Sequence, residues 1–318
     1  MSELLIILYL LGGIAGLYIG AEGLVRGSSS LAMTLGVSPL VVGLTIVAFG
    51  TSSPELVVSI KAAIDGNPGI VVGNVVGSNI CNIALILGLA ALISPMQVKT
   101  QIVKREIPIM IVVSFFMLFV LFDDSVSQIE GIILVVGIIL YIIFSYRYSV
   151  KEVPNEEIIK ELKDNLPRKQ YNVYILILFI VGGLGLLIAG SNLFVAGAVE
   201  IAERFGVSQA VIGLTIIALG TSLPELTTSV VASLKHENEI AIGNAVGSNV
   251  FNILSVLGIS SLVSPIAGTG VTIVDLSIMM FFTLLIFPLS WSNFKLQRWE
   301  GGLLLLGYII YMVYLGYN

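Results

Sequence analysis

Apolar segments long enough to cross a bilayer recur along the whole chain, and this pattern constrains the fold more than any other feature. A transmembrane helix needs about 20 consecutive, mostly apolar residues. Ten candidate segments lie near residues 4–25, 39–62, 70–94, 107–122, 129–146, 172–199, 209–233, 240–263, 271–290 and 300–316. Because unpaired backbone groups are not tolerated in hydrocarbon, each segment is predicted to be a helix. The sequence therefore predicts an all-α, multi-pass protein of the cell membrane with ten transmembrane helices.

Charged residues are scarce, which excludes the usual soluble classes of protein. They make up 11% of the chain, and hydrophobic residues make up 57%. Soluble domains contain about 25% charged residues. The net charge of −5 is spread over the predicted loops, so the lipid bilayer is an expected partner and nucleic acid is not. The single cysteine, Cys81, lies in an apolar segment and is expected to be a small buried apolar side chain.

Basic residues are distributed unevenly between the two sides of the predicted helix bundle. Thirteen of the 15 Lys and Arg residues fall in loops on one side, and only Lys61 and Arg204 fall on the other. In membrane proteins the excess of Lys and Arg lies in the cytoplasmic loops. We therefore expect both termini to lie outside the cell and the polar segment 148–170 to be a cytoplasmic linker.

The chain contains an internal repeat at an offset of 170 residues. Segments 36–95 and 206–265 align without a gap and share 31 identities in 60 positions, many of them at Gly, Ser, Asn, Pro and Glu. The halves 1–147 and 171–318 each contain one repeat and five predicted spans. An odd number of spans inserts the second half upside down. This arrangement is an inverted repeat, in which the substrate site lies near the middle of the membrane.

Each repeat carries a helix breaker inside an apolar span, in the motifs Gly-Thr-Ser-Ser-Pro-Glu (50–55) and Gly-Thr-Ser-Leu-Pro-Glu (220–225). Proline has no N–H and clashes with the carbonyl four residues earlier. We therefore expect main-chain carbonyls without helical partners, which are tolerated at bilayer depth only where something occupies them. Glu55 and Glu225 follow each proline and add carboxylate oxygens. A bound cation is the natural occupant of such a site.

The next span of each repeat carries a polar stripe at intervals of four residues. The stripe consists of Asn74, Ser78 and Asn82 in the first half, and of Asn244, Ser248 and Asn252 in the second. Every expected ligand is then a carboxylate, amide, hydroxyl or carbonyl oxygen, which favours Ca²⁺ and Na⁺ over transition metals. The alternative is that the Ser and Asn side chains only form hydrogen bonds between helices.

Two carboxylates in the middle of a bilayer require compensation. Each costs about 2.5–3.5 kcal/mol on insertion scales, and the four spans that carry the motifs contain no central Lys or Arg. One Ca²⁺, two Na⁺ or two protons would neutralise Glu55 and Glu225. An empty site of this kind resists closure, which favours an exchanger over a uniporter or a channel. The alternative is that both glutamates are protonated structural acids.

The paired motifs 50–55 with 73–82 and 220–225 with 243–252 resemble the alpha repeats of the calcium/cation antiporter superfamily. They are most similar to its prokaryotic sodium/calcium exchanger branch. The resemblance implies a monomeric antiporter, not an enzyme, that exchanges Na⁺ for Ca²⁺ by alternating access and needs no cofactor beyond the transported ions. By motif position it implies that the ligands are Glu55, Glu225, Thr51, Thr221, Ser52, Ser222, Ser78, Ser248, Asn82, Asn252, Ala48 and Ala218.

One position departs from the family pattern. Many exchangers have Asp where this chain has Asn252, so dependence on K⁺ is not expected. The alternative function is exchange of Ca²⁺ or another divalent cation for H⁺, because protons would also neutralise the two glutamates. The glycine-rich spans 4–25 and 172–199 are expected to slide across the other helices and gate access to the site.

Overall fold

The computed structural model describes residues 2–151, 172–206 and 218–317, which are mostly helical. The helices are α1 (Glu3–Leu35), α2 (Pro39–Thr51), α3 (Ser53–Ile64), α4 (Pro68–Ile93), α5 (Ile102–Asp123), α6 (Gln128–Lys151), α7 (Val173–Arg204), α8 (Ala218–Thr221), α9 (Leu223–Leu234), α10 (Asn238–Val263), α11 (Ile273–Phe294) and α12 (Arg298–Tyr317). Most of the predicted linker 148–170, and residues 207–217 of the second repeat, lie outside the described residues.

Seven helices in the described ranges are long and apolar enough to cross a membrane: α1, α4, α5, α6, α7, α10 and α11. The bent pair α2–α3 adds an eighth. The prediction of a helical membrane protein is therefore confirmed. The other two predicted spans correspond to α9 and α12, which do not belong to this group, so the number ten remains a prediction.

Helices α4 and α10 form the centre of the molecule. In their most apolar stretches 72% and 83% of the residues are buried, against 28% in α1 and in α7. Glycines bring α10 close to α2, because a Cβ atom on Gly247 would lie 2.7 Å from the carbonyl oxygen of Leu44. The two central helices carry the predicted polar stripes, which are therefore shielded from lipid.

Both predicted helix breaks are present. Helices α2 and α3 meet at Ser52 (φ −81°, ψ 5°) with a bend of 44°, and α8 and α9 meet at Ser222 (φ −91°, ψ 4°). Pro54 and Pro224 occupy the second position of the following helix. Proline is favourable there because the first N–H groups of a helix have no intrahelical acceptor. The motif therefore ends one helix and starts the next.

The glycine-rich helices α1 and α7 pack tightly against each other. A Cβ atom on Gly20 would lie 2.7 Å from the carbonyl oxygen of Gly183, and one on Gly190 would lie 2.6 Å from the backbone nitrogen of Leu17. Small residues let transmembrane helices approach at backbone distance. These glycines thus join α1 and α7 into one pair, rather than providing only the smooth surface that we expected against the other helices.

Short antiparallel strands, which the sequence did not predict, connect distant loops of the described residues. They are β1 (Met96–Gln97), β2 (Ser125–Val126), β3 (Ile266–Ala267) and β4 (Lys295–Leu296). Met96 pairs with Leu296, and Val126 pairs with Ile266. Adding 170 to 96 and to 126 gives 266 and 296, so the two pairings exchange under the sequence repeat. Two-residue strands are too short to leave an alternating pattern.

An ion-pair cluster joins α1 to α9 and the loop that follows it. Glu22 contacts Arg26 at 2.7 Å and also Lys235 at 2.8 Å. Nearby, Ser29 Oγ donates a hydrogen bond to Glu237 at 2.9 Å. These contacts tie α1 to the loop between α9 and α10. All of the residues involved belong to the side that the sequence predicts to be cytoplasmic.

The tight packing of α1 against α7 can be tested with two glycines of one helix. We expect Gly190→Leu to lower the thermal unfolding temperature of the detergent-solubilised protein, because overpacking a close contact costs about 1–3 kcal/mol or more. A Cβ atom on Gly185 would meet no neighbouring atom within 4 Å among the described residues, so Gly185→Leu should unfold close to the wild-type temperature. Equal destabilisation by the two changes would contradict this packing.

Candidate cation-binding site

Glu55 and Glu225 meet in the interior of the protein. Each residue is 1% exposed. Ser222 Oγ donates a hydrogen bond to Glu55 Oε1 at 3.1 Å, and Ser52 Oγ donates one to Glu225 Oε1 at 3.1 Å. Each serine therefore binds the glutamate of the opposite half. The two helix breaks therefore form a single cluster of two acids and two hydroxyls, in which the hydrogen bonds cross between the halves.

The glutamates lie where a helix favours negative charge. Glu55 is the third residue of α3, and Glu225 is the third residue of α9. The N-terminal end of a helix carries a partial positive charge. The ion pairs of the described residues include neither glutamate. The two helix ends lower the free-energy cost of burying the carboxylates but do not neutralise their charge. A bound cation could neutralise it.

The first asparagine of each stripe holds the backbone behind a glutamate. Asn74 Nδ2 donates hydrogen bonds to the carbonyl of Glu55 at 3.1 Å and to Ser59 Oγ at 2.9 Å. Asn244 Nδ2 donates equivalent bonds to the carbonyl of Glu225 at 3.3 Å and to Ser229 Oγ at 3.0 Å. These two asparagines connect helices, which is the structural alternative that the sequence left open for the stripes.

The last asparagine of each stripe is held by an asparagine of the opposite half. Asn82 Nδ2 donates to Asn249 Oδ1 at 3.0 Å, and Asn252 Nδ2 donates to Asn79 Oδ1 at 3.2 Å. Asn79 and Asn249 were not among the predicted site residues. The signal that could have found them is the dipeptide Ser-Asn, repeated at 78–79 and 248–249, of which only the serine was considered.

Several oxygens of the cluster are buried without a hydrogen-bond donor. Within the described residues this holds for Glu55 Oε2, Glu225 Oε2, Asn82 Oδ1, Asn252 Oδ1 and Ser248 Oγ. Proteins rarely bury a polar atom without a partner, because the desolvation cost is about 1–3 kcal/mol. Carboxylate and amide oxygens are ligands for Ca²⁺ and Na⁺. Each half contributes one glutamate oxygen and one asparagine oxygen of this kind, so the cluster is suited to bind cations.

Asn82 and Asn252, two of the predicted ligands, lie at irregular turns of the central helices. Asn82 belongs to the π-helical segment Cys81–Leu87 of α4, and Asn252 begins the π-helical segment Asn252–Leu257 of α10. Wide turns of this kind often occur at functional sites. Cys81 is buried beside Asn82, as its apolar surroundings predicted.

Two main-chain carbonyls near the helix breaks, those of Gly220 and Ala48, accept hydrogen bonds. The carbonyl of Gly220 accepts a hydrogen bond from Ser191 Oγ of α7. The residue equivalent to Ser191 in the first half is Ala21, which has no hydroxyl group. The carbonyl of Ala48 accepts the backbone N–H of Ser52 at 3.0 Å. Ser191 gave no signal in the sequence, because the repeat does not preserve it.

The remaining predicted ligands lie on the same helices. Thr51 and Thr221 end α2 and α8, and Thr51 Oγ1 donates to Asn244 Oδ1 at 3.0 Å. Ser78 of α4 is buried, and Ala218 is the first residue of α8. Direct coordination of a cation by any of the twelve predicted residues stays a prediction.

The comparison with known proteins identifies the family. The family described as sodium/calcium exchanger protein matches residues 5–147 and 175–317. The chain belongs to this family. It is 40% identical to the putative antiporter CaxA of Alkalimonas amylolytica over 308 residues, which cover 96% of each chain. It is 33% identical to the sodium/calcium exchanger MaX1 of Methanosarcina acetivorans over 344 aligned positions, which cover 98% of each chain.

A solved structure has the same fold as this exchanger. The sodium-calcium exchanger NCX_Mj superimposes with a TM-score of 0.84 at 34% sequence identity, over 99% of this chain and 100% of that chain. The resemblance inferred from the repeated motifs is therefore confirmed. The exchanger is a membrane antiporter and not an enzyme.

The crossed serine–glutamate bonds can be tested by binding measurements on the purified exchanger. We expect Ser52→Ala and Ser222→Ala each to weaken Ca²⁺ binding about tenfold, because a partner that orients a metal ligand is worth about 10–100-fold in affinity. Calorimetry in detergent measures the change. Ser53→Ala is the control, since Ser53 is half-buried and its hydroxyl donates to the carbonyl of Phe49 rather than to a glutamate. Loss of affinity in the control but not in Ser52→Ala would contradict the assignment.

Proposed function

We propose that the protein exchanges Na⁺ for Ca²⁺ by alternating access at a site in the middle of the membrane, built around Glu55 and Glu225. The observation that carries this proposal is the pair of buried carboxylates. Serines of the opposite half donate to them, and each keeps one oxygen that has no donor among the described residues. The relatives named sodium/calcium exchanger support the choice of ions.

Charge counting favours coupled exchange. The other proposed ligands are neutral hydroxyl, amide and carbonyl groups, so the site has a charge of −2 when both glutamates are ionised. One Ca²⁺ neutralises the site, and three Na⁺ leave it at +1. Exchange of three Na⁺ for one Ca²⁺ would therefore move net charge. An empty site keeps two uncompensated carboxylates, whose burial in the membrane is costly, so the carrier changes sides only when loaded.

The proposed architecture is two inverted halves of five helices, residues 1–147 and 171–318. The segments matched by the family, 5–147 and 175–317, support it because they differ by 170 at both ends. The two strand pairings support it as well, because the same offset of 170 residues maps one pairing onto the other. Inverted halves give the site two equivalent routes, one to each side of the membrane.

The helix pair α1–α7 is the proposed moving element. It contacts both helix breaks: a Cβ atom on Gly50 would meet the side chain of Leu184, and Ser191 donates to the carbonyl of Gly220. A shift of this pair would change the surroundings of both breaks together. Its own tight glycine packing supports movement of α1 and α7 as one unit rather than as two separate gates.

We further propose that the protein is a monomer in the cell membrane, with both termini outside and the segment 148–170 in the cytoplasm. The bias of Lys and Arg supports this orientation. The contact of Lys235 with Glu22 supports it too, because it joins the loop after α9 to the part of α1 that the bias assigns to the same side.

Transport in vesicles tests the proposed ions and the proposed acids. Reconstituted vesicles loaded with Na⁺ should take up ⁴⁵Ca²⁺ from Na⁺-free medium, and a protonophore should leave this uptake intact. Glu55→Gln and Glu225→Gln should each reduce uptake to the level of protein-free vesicles, because one carboxylate cannot neutralise Ca²⁺. Glu3→Gln, at an exposed first-turn position of α1, is the control.

Two results would count against this function. Uptake that needs a proton gradient and ignores Na⁺ would favour the H⁺-coupled alternative. Undiminished uptake by either glutamine variant, with the control also active, would remove the carboxylates from the transport site.

Labelling of single cysteines tests the orientation. In a Cys81→Ala background, an impermeant maleimide added to intact cells should label Asn67→Cys, between α3 and α4. It should label Ser292→Cys, at the end of α11, only after permeabilisation, because the proposed topology puts this exposed position inside the cell. If Ser292→Cys were labelled in intact cells and Asn67→Cys only after permeabilisation, the proposed topology would be inverted.

A further inference from the structure

The hydrogen bonds among the four buried asparagines cross between the halves. Asn79 accepts from Asn252, and Asn249 accepts from Asn82, at 3.2 Å and 3.0 Å between nitrogen and oxygen. Each of the four residues is at most 1% exposed. Asn79 precedes Asn82 by three residues in α4, yet its partner is in α10. The orientation of each amide ligand is therefore set by the other half of the protein.

The direction of these bonds decides which end of each amide is free. An amide has a donating NH₂ group on one side and an accepting oxygen on the other. The NH₂ groups of Asn82 and Asn252 are engaged, and their oxygens are buried without a donor in the described residues. Rotation of either amide by half a turn would expose NH₂ in place of oxygen. A cation binds the oxygen and is repelled by the positive end of the NH₂ dipole.

A further contact supports the orientation of the outer asparagines. Asn249 Nδ2 faces the sulfur of Met110 at 3.4 Å, and Asn79 Nδ2 faces the sulfur of Met279 at 4.0 Å. Both methionines are fully buried. A thioether sulfur only accepts, and weakly, so the amide NH₂ points at the sulfur and the oxygen points back at the partner asparagine. The two chains of contacts therefore have the same order. One runs from Met279 through Asn79 to Asn252, and the other runs from Met110 through Asn249 to Asn82.

We propose that Asn79 and Asn249 are positioning residues that turn the oxygens of Asn252 and Asn82 toward the transported cation. Each half thereby orients a ligand that the other half supplies, and it does so with neutral groups, which keeps the charge of the site at −2. This assignment rests on the proposed function, because it needs a cation at the cluster. It adds a layer of residues behind the ligands that the family resemblance implies.

The symmetry of a carboxylate provides a test that a purely structural role would not pass. Both oxygens of a carboxylate accept, so an aspartate at position 252 would present an oxygen in either orientation. It would not need Asn79 to orient it. Asn82 would still need Asn249 in the same variant. The predicted coupling therefore follows the crossed pairs 79–252 and 82–249 and is absent from the same-half pairs 79–82 and 249–252.

The experiment measures Ca²⁺ affinity by calorimetry in detergent and half-saturation of Na⁺-driven ⁴⁵Ca²⁺ uptake in vesicles. Asn79→Ala and Asn249→Ala should each weaken Ca²⁺ binding about 10–100-fold, as expected for loss of a residue that orients a metal ligand. The maximal rate should fall less than the affinity. In an Asn252→Asp background, Asn79→Ala should lose most of its effect, and Asn249→Ala should keep its effect.

The Asn82→Asp background should give the opposite pattern of effects. With Asn82→Asp, the effect of Asn249→Ala should disappear and that of Asn79→Ala should remain. Thermal unfolding identifies alanine variants that do not fold. Asn79→Leu and Asn249→Leu then replace them, because leucine retains the side-chain volume while removing the acceptor. The same loss of affinity in both aspartate backgrounds, or no loss in the single variants, would overturn the proposal.

The proposed function can fail separately from this inference. If the wild-type protein binds Ca²⁺ in detergent with the crossed coupling but shows no Na⁺-driven uptake, the positioning role stands and Na⁺/Ca²⁺ exchange does not. If uptake depends on Na⁺ but the coupling follows the same-half pairs, exchange stands and the positioning role is refuted.

Discussion

The burial of two carboxylates side by side, with no basic residue paired to either in the described part of the chain, is the constraint on which the rest of the structure depends. Like charges repel, and each also loses its hydration in the interior. The protein lowers this cost with two helix ends and two hydroxyl groups around Glu55 and Glu225. Neither of these groups carries a full positive charge, so the proposed cation would supply the neutralisation.

The contacts around the acids are reciprocal, so neither half holds a complete site. Each serine donates a hydrogen bond to the glutamate of the other half, and Asn82 and Asn252 each donate one to an asparagine of the other half. The halves are nevertheless unequal. Ser191 has Ala21 as its counterpart, and the ion pair between Glu22 and Lys235 corresponds to Asn192 and Asp65. The two halves are therefore similar in their central contacts and different in the contacts around them.

Much of the site followed from the repeat, because a costly group found twice at one offset is hard to explain by chance. The breaks at Ser52 and Ser222 followed from the missing N–H of proline, and the glutamates followed from their position after it. The partners of the amides did not follow. An asparagine in an apolar helix can face lipid, a neighbouring helix or a ligand, and four-residue spacing does not distinguish among these environments.

Local chemistry in the chain was sufficient to indicate the membrane, the helices, the family and the two acids. Hydropathy, proline geometry and oxygen ligands act over a few residues and are visible in the motifs 50–55 and 220–225. Only the folded protein decided which asparagine faces which, how Ser191 reaches the carbonyl of Gly220, and that glycines join α1 to α7. Those contacts join residues that are distant in sequence, and their distances depend on how whole helices pack.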